Sequence, residues 1–150
     1  MKVKPPDLTR QFPRSPGETL GGYAHLARMA DKARAKAAGT VGEYIYPCPL
    51  DLALLEFLTI DPDAFYEAVQ IKDDRELLGW VREKAATRNP EEIESWNRAF
   101  LSRKPRNQDS QRRFDEIRNR LAPHRTDITA WPDLLDLEEG REVPVRRADG

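Results

Sequence analysis

Arg28, Asp31, Lys32 and Arg34 crowd one alanine-rich stretch, LARMADKARAKAA, at positions that ordinary packing does not require. Further on, the chain's only cysteine, Cys48, stands between Pro47 and Pro49, with Glu43 before it and Asp51 after it. An arginine among small residues can hold a carboxylate or phosphate through two parallel hydrogen bonds. A thiol at the start of a helix feels the positive end of the dipole and gives up its proton more readily than a free thiol. Arg14, in the run Pro13-Arg14-Ser15-Pro16, adds a cation upstream. The residues suited to ligand binding are therefore Arg34, Arg28, Lys32 and Arg14. Those suited to proton transfer or covalent chemistry are Cys48 and Glu43, with Asp31 orienting the Arg34 guanidinium.

A helix must position the first group. Ser15-Pro16-Gly17-Glu18 reads as a capping box with proline at the first helical position, and Gly39 reads as the stop. A wheel advanced about 100° per residue from Tyr23 gathers Leu26, Ala27, Ala30, Ala33 and Ala37 on a packed face. Arg34 returns to about 20° from Tyr23 and projects from that face, with Asp31 at its margin and within pairing reach. His25, Arg28, Lys32 and Lys36 fall opposite, as a solvated stripe. A buried arginine needs a partner. Two readings stay open: a structural pair of Arg34 with Asp31 or Asp51, or a guanidinium at a cleft floor that holds an anion.

Cys48 invites the same comparison. A nucleophilic cysteine needs a base, and the two histidines are His25 and His124. The wheel turns His25 away, and the spacing does not bring His124 back. The plainer reading is a packed structural thiol, with Asp51 capping the helix that follows.

Further helices are predicted from Leu50 to Leu58, from Asp61-Pro62, from Asp73 with Glu76, from Asn89-Pro90, from a Ser110 cap, and from an Asp127 cap. Glu43-Tyr44-Ile45-Tyr46 and Glu142-Val143-Pro144-Val145 are the extended candidates, the second confined to an edge by its proline. The fold class is all-α, with six or seven short helices and at most a minor two-stranded element. Residues 1–140 form one expected domain, and 141–150 an expected flexible tail.

Composition narrows the function. With 25 basic and 26 acidic side chains, the net charge of −1 lacks the bias of a dedicated nucleic-acid binder. Arg112, Arg113, Arg118, Arg120 and Arg125 share their segment with Asp115 and Glu116, which reads as a solvated face. One cysteine and two distant histidines make no zinc site, and no glycine-rich phosphate loop is present. Asp133, Asp136, Glu138 and Glu139 suit a divalent cation but read more simply as solvated surface, so no metal and no cofactor is expected. No apolar run approaches the roughly 20 residues of a membrane span. A lone cysteine fits a reducing compartment, so the expected location is the cytoplasm. The expected partner is an anionic small molecule. The alternative is a protein bound by a helical interaction module, in which an Arg34–Asp31 ion pair is structural.

The runs Pro13-Arg14-Ser15-Pro16, Gly21-Gly22-Tyr23, Leu26-Ala27-Arg28-Met29, Asp31-Lys32, Arg34-Ala35, Gly39-Thr40, Gly42-Glu43-Tyr44 and Cys48-Pro49-Leu50-Asp51 resemble a bacterial domain family of unknown function, family 5069. The end Trp131 to Glu139 resembles the C-terminal signature of that family. The resemblance implies a bacterial, mostly helical, cytoplasmic single domain. It also implies a shared site around Arg14, Arg28, Asp31, Lys32, Arg34, Glu43 and Cys48, without a role for any of them.

Overall fold

The structure is a computed structural model that describes residues 4–146. Among these, the elements in chain order are β1 (Thr19–Leu20), β2 (Tyr23–Ala24), α1 (Leu26–Ala38), α2 (Pro49–Leu58), α3 (Pro62–Ile71), α4 (Asp74–Lys84), α5 (Pro90–Leu101), α6 (Gln108–Leu121) and α7 (Trp131–Glu138). The class is all-α with a minor extended element, as predicted. The chain divides into two compact units, one ending at Ser95 and one starting at Trp96, so the division falls within α5.

The first unit forms around α1. Leu26, Met29, Ala30 and Ala33 of this helix are buried, as are Leu54, Leu55 and Leu58 of α2, Phe65 and Val69 of α3, and Leu77 and Val81 of α4. α1 packs directly on α3. Its neighbours start where their caps dictate. The Asp61 carboxylate accepts the Asp63 and Ala64 N–H groups, and Asp73 and Glu76 cap each other reciprocally. Asn89 and Glu92 do the same ahead of α5.

Three sequence expectations fail in the first unit. Ser15-Pro16-Gly17-Glu18 is not a helix start. The Ser15 hydroxyl accepts from the Gly17 N–H, and the Ser15 carbonyl from Glu18, which closes a turn. The chain then makes a hairpin, with Thr19 opposite Ala24 and Leu20 opposite Tyr23. Gly21 and Gly22 form its bend at φ 60° and 91°, and a Cβ on Gly21 would lie 2.3 Å from the Leu78 side chain. α1 therefore begins at Leu26, later than expected. The two-stranded element is this hairpin rather than residues 43–46 with 142–145, where proline and the turn at 42–43 interrupt pairing.

The second unit has its own core of Phe114, Ile128, Leu134 and Val143, flanked by Ile117, Trp131 and Leu137. α6 packs on α7, and the Trp131 ring meets Phe114 edge-on at 5.1 Å. Two caps differ from expectation. Asn107 caps α6, its side chain accepting from Ser110, which is already inside the helix. Asp127 caps nothing, because Arg125 and the Arg146 backbone occupy its carboxylate, and α7 starts at Trp131. Within the expected tail, Val143 is buried, Arg141 pairs with Asp136 and Glu139, and Arg146 pairs with Asp133. Residues 147–150 of that stretch lie outside the described residues.

Candidate functional site

α1 places charges on two sides of itself, and each side meets an aspartate from elsewhere in the first unit. All residues from Leu26 to Ala35 are buried, the charged ones included. The predicted solvated stripe is therefore wrong for His25, Arg28 and Lys32, because each finds a polar or aromatic partner inside the fold. Lys36 alone of that stripe is exposed, with Nζ donating to the Tyr46 carbonyl at 3.0 Å and lying over the Tyr46 and Tyr66 rings.

The closed side centres on Asp51, which has no exposed side-chain surface. Its Oδ1 lies 2.7 Å from His25 Nε2 and its Oδ2 2.8 Å from Lys32 Nζ. The Cys48 N–H donates to Oδ2 at 2.9 Å, so Asp51 closes the first turn of α2 from inside the helix, while Cys48 is the N-cap. An ionised carboxylate only accepts, so Nε2 of His25 is the donor. Lys32 Nζ also lies 3.2 Å from the Sγ of Cys48, a partly exposed residue. His25 sits in the left-handed region at φ 71°, between the hairpin and α1. A bulky residue there is strained, and the imidazole is directed inward to Asp51.

Electrostatics follow from that geometry. Burial alone would raise the Asp51 pKa, but the His25 hydrogen bond and the Lys32 charge hold it down at about 2. Burial lowers the His25 pKa, and the bond to Asp51 only partly opposes this, so the imidazole is neutral at pH 7.

The open side centres on Asp74 at the start of α4. Arg34 Nη1 donates to Asp74 at 2.8 Å, Nη2 to the Lys72 carbonyl at 3.0 Å, and Nε to the Val69 carbonyl at 3.5 Å. Arg14 bridges two carboxylates: Nη1 donates to Asp74 at 2.9 Å, while Nη2 and Nε donate to Asp31 at 3.0 and 3.1 Å. Neither expected pair exists, since Asp31 is taken by Arg14 and Asp51 by Lys32 and His25. Burial opposes the Arg14 charge, but its bonds to Asp31 and Asp74 more than offset this and raise its pKa above the ordinary value. Partial burial raises the Asp74 pKa, and the two arginines bring it below the usual range. Above this floor lies a cleft of about 560 Å3, lined also by Lys4, Asp7 and Arg10.

The structure thus brings Arg14, Asp31 and Arg34 to the cleft, and Lys32 and Cys48 to the closed centre. Arg28 donates to the Arg14 carbonyl at 3.3 Å and lies over the Tyr44 ring at 5.6 Å. Glu43 is exposed in its loop, and among the described residues no ion pair ties it to either cluster. Asp74 and His25 were missed by sequence reasoning. The Asp73-Asp74 doublet signalled only a cap, and a helical phase carried through residue 25 turned His25 outward.

The remaining clusters are ion pairs rather than open sites. Asp133, Asp136 and Glu139 face arginines, and among the described residues no group of three or more histidine, cysteine, aspartate or glutamate side chains is arranged to hold a metal ion. No helix of the described residues is long and apolar enough to cross a membrane.

Residues 10–141 match the family described as Domain of unknown function (DUF5069), and the chain belongs to it. No curated protein matches the chain.

Proposed function

We propose that the first unit binds a small anionic molecule, a carboxylate or phosphate, in the cleft above Arg14 and Arg34. The observation that carries this reading is the charge on the lining. Lys4, Arg10, Arg14 and Arg34 face Asp7, Asp31 and Asp74, which leaves one positive charge in excess in a cleft of about 560 Å3. The Arg14 and Arg34 guanidiniums do not have to be ordered by the ligand, because carboxylates and backbone carbonyls already hold them, which lowers the entropic cost of binding. Arg14 and Arg10 contact the anion. Arg34 is buried and positions Asp74, and through it Arg14. Lys4 lies at the rim and adds attraction that weakens with salt. Asp31 orients Arg14 rather than Arg34. The same reading sets the protein in the cytoplasm, in keeping with its single cysteine.

A thermal-shift series with inorganic phosphate, pyrophosphate and short dicarboxylates tests this, using the natural chain and the charge reversals Arg10→Glu and Lys4→Glu. Both residues are exposed, and the Arg10 side chain is 86% accessible, so neither change disturbs the core. Ligand at about 100 times the dissociation constant stabilises by about 2.7 kcal/mol, which raises the midpoint by several degrees. A shift that both reversals abolish supports the cleft. A flat series, or a shift that both reversals leave intact, refutes it.

A further inference from the structure

We propose that Lys32 and Cys48 form a reducible covalent bridge when a peroxide oxidises Cys48, fastening α1 to the start of α2. Three observations converge on this modification site, and none depends on anion binding in the cleft. Lys32 Nζ stands 3.2 Å from Cys48 Sγ. The Lys32 side chain is 4% exposed and its ammonium is anchored at 2.8 Å by Asp51, so the nitrogen is held beside the sulfur. Cys48 is partly exposed as a residue, and the oxidant that has to meet it is as small as a peroxide.

The chemistry balances with one oxidant molecule. The sulfur attacks a peroxide oxygen, the O–O bond breaks, and a sulfenic acid and one water form; sulfur loses two electrons and the peroxide gains them. Sulfenic acids condense with nearby thiols or nitrogens. The chain has no second cysteine to resolve the sulfenic acid within the molecule, so the neighbouring amine does so. Lys32 Nζ gives up one ammonium proton to water and attacks sulfur. An S–N bond forms, the S–O bond breaks, and the departing hydroxide takes a second ammonium proton and leaves as water. The sum is thiol, ammonium and peroxide giving a sulfenamide, two waters and one proton, which goes to solvent. The long lysine stem supplies the small movement that closing the bond requires. Thiols reverse the step by reducing the S–N bond.

Intact-mass and peptide analysis of the full chain after hydrogen peroxide treatment, without reductant, tests the proposal. The expected product has lost two hydrogen atoms, resists trypsin after Lys32, and yields the Lys32 peptide joined to the Cys48 peptide; dithiothreitol restores both. Cys48→Ser keeps a good helix cap, and Lys32→Arg keeps a cation against Asp51, and neither variant gives the joined peptide. Oxygen adducts accumulating on Cys48 while trypsin still cuts after Lys32 would overturn the bridge, as would an unreacted thiol.

Discussion

Asp51 and Asp74 each hold cations carried by α1, but one is sealed and the other meets water. Asp51 has no accessible side-chain surface and binds Lys32 and His25, whereas the Asp74 side chain is 38% exposed and binds Arg34 and Arg14. The partners differ to match. Lysine and histidine point single N–H groups at the sealed carboxylate, while two planar guanidiniums share the open one, Arg34 buried and Arg14 partly exposed. A sealed pair fixes the fold and is costly to break, since removing one partner strands the other charge away from water. An open pair is screened, contributes less to stability, and leaves its groups within reach of a ligand. The same helix thus contributes to a sealed centre on one side and to a partly exposed one on the other.

The sharpest way to break that contrast is Asp51→Asn. It leaves the Lys32 ammonium buried without its counter-charge and replaces one of the two acceptor oxygens shared by His25, Lys32 and the Cys48 N–H with a donor, so urea denaturation should show a loss of about 3–5 kcal/mol. A loss below about 1 kcal/mol would mean that water reaches this centre.

Acid provides a second test. The Asp51 pKa is depressed from 3.8 to about 2, so its stabilisation is complete above the unfolded value and disappears as pH falls from about 4 towards about 2. That share amounts to about 2 kcal/mol. The lowered His25 pKa acts in the same direction and from higher pH, because the unfolded imidazole takes up a proton below its ordinary value of 6.5 while the buried one stays neutral. The urea midpoint should therefore fall progressively from pH 6.5 downward, and Asp51→Asn should lack the lower part of that decline. A midpoint flat between pH 6.5 and 3 would contradict the sealed centre.

The smallest effect is expected at the open side. Asp74→Asn keeps an oxygen for the arginines, and the buried Arg34 guanidinium, though it loses its counter-charge, keeps the Lys72 and Val69 carbonyls, so the cost should be about 2 kcal/mol. A cost equal to that of Asp51→Asn would erase the distinction between the two carboxylates.

Much of the fold was legible, and the reason is local. Asp61-Pro62, Asp73 with Glu76, Asn89 with Glu92, and Gly39 act within a few residues of themselves, so their patterns suffice to mark helix ends. The Ser15 box failed for the same reason, because a serine that turns the chain locally looks like one that starts a helix. Gly21-Gly22 was the signal for a hairpin, and reading it inside a helix misplaced Tyr23 and His25, whereas Arg28 and Lys32 were misread because α1 is buried on every side. The stretch around α1 and residues 42–51 was recognisable as the place where charge is concentrated. Its partners were not, since Arg14 is 60 positions from Asp74, Arg34 is 40 from it, and His25 is 26 from Asp51. Only the folded chain brings them together, which is why Lys32 was assigned to solvent and Arg34 to the wrong aspartate.

Backbone chemical shifts followed through a titration with inorganic phosphate at low salt test the central claim most directly. Saturable changes confined to Arg10, Arg14 and Asp74, absent at Cys48 to Asp51 and lost in Arg10→Glu, are the predicted result. Changes centred elsewhere, or none that saturate, would contradict an anion site above Arg14 and Arg34.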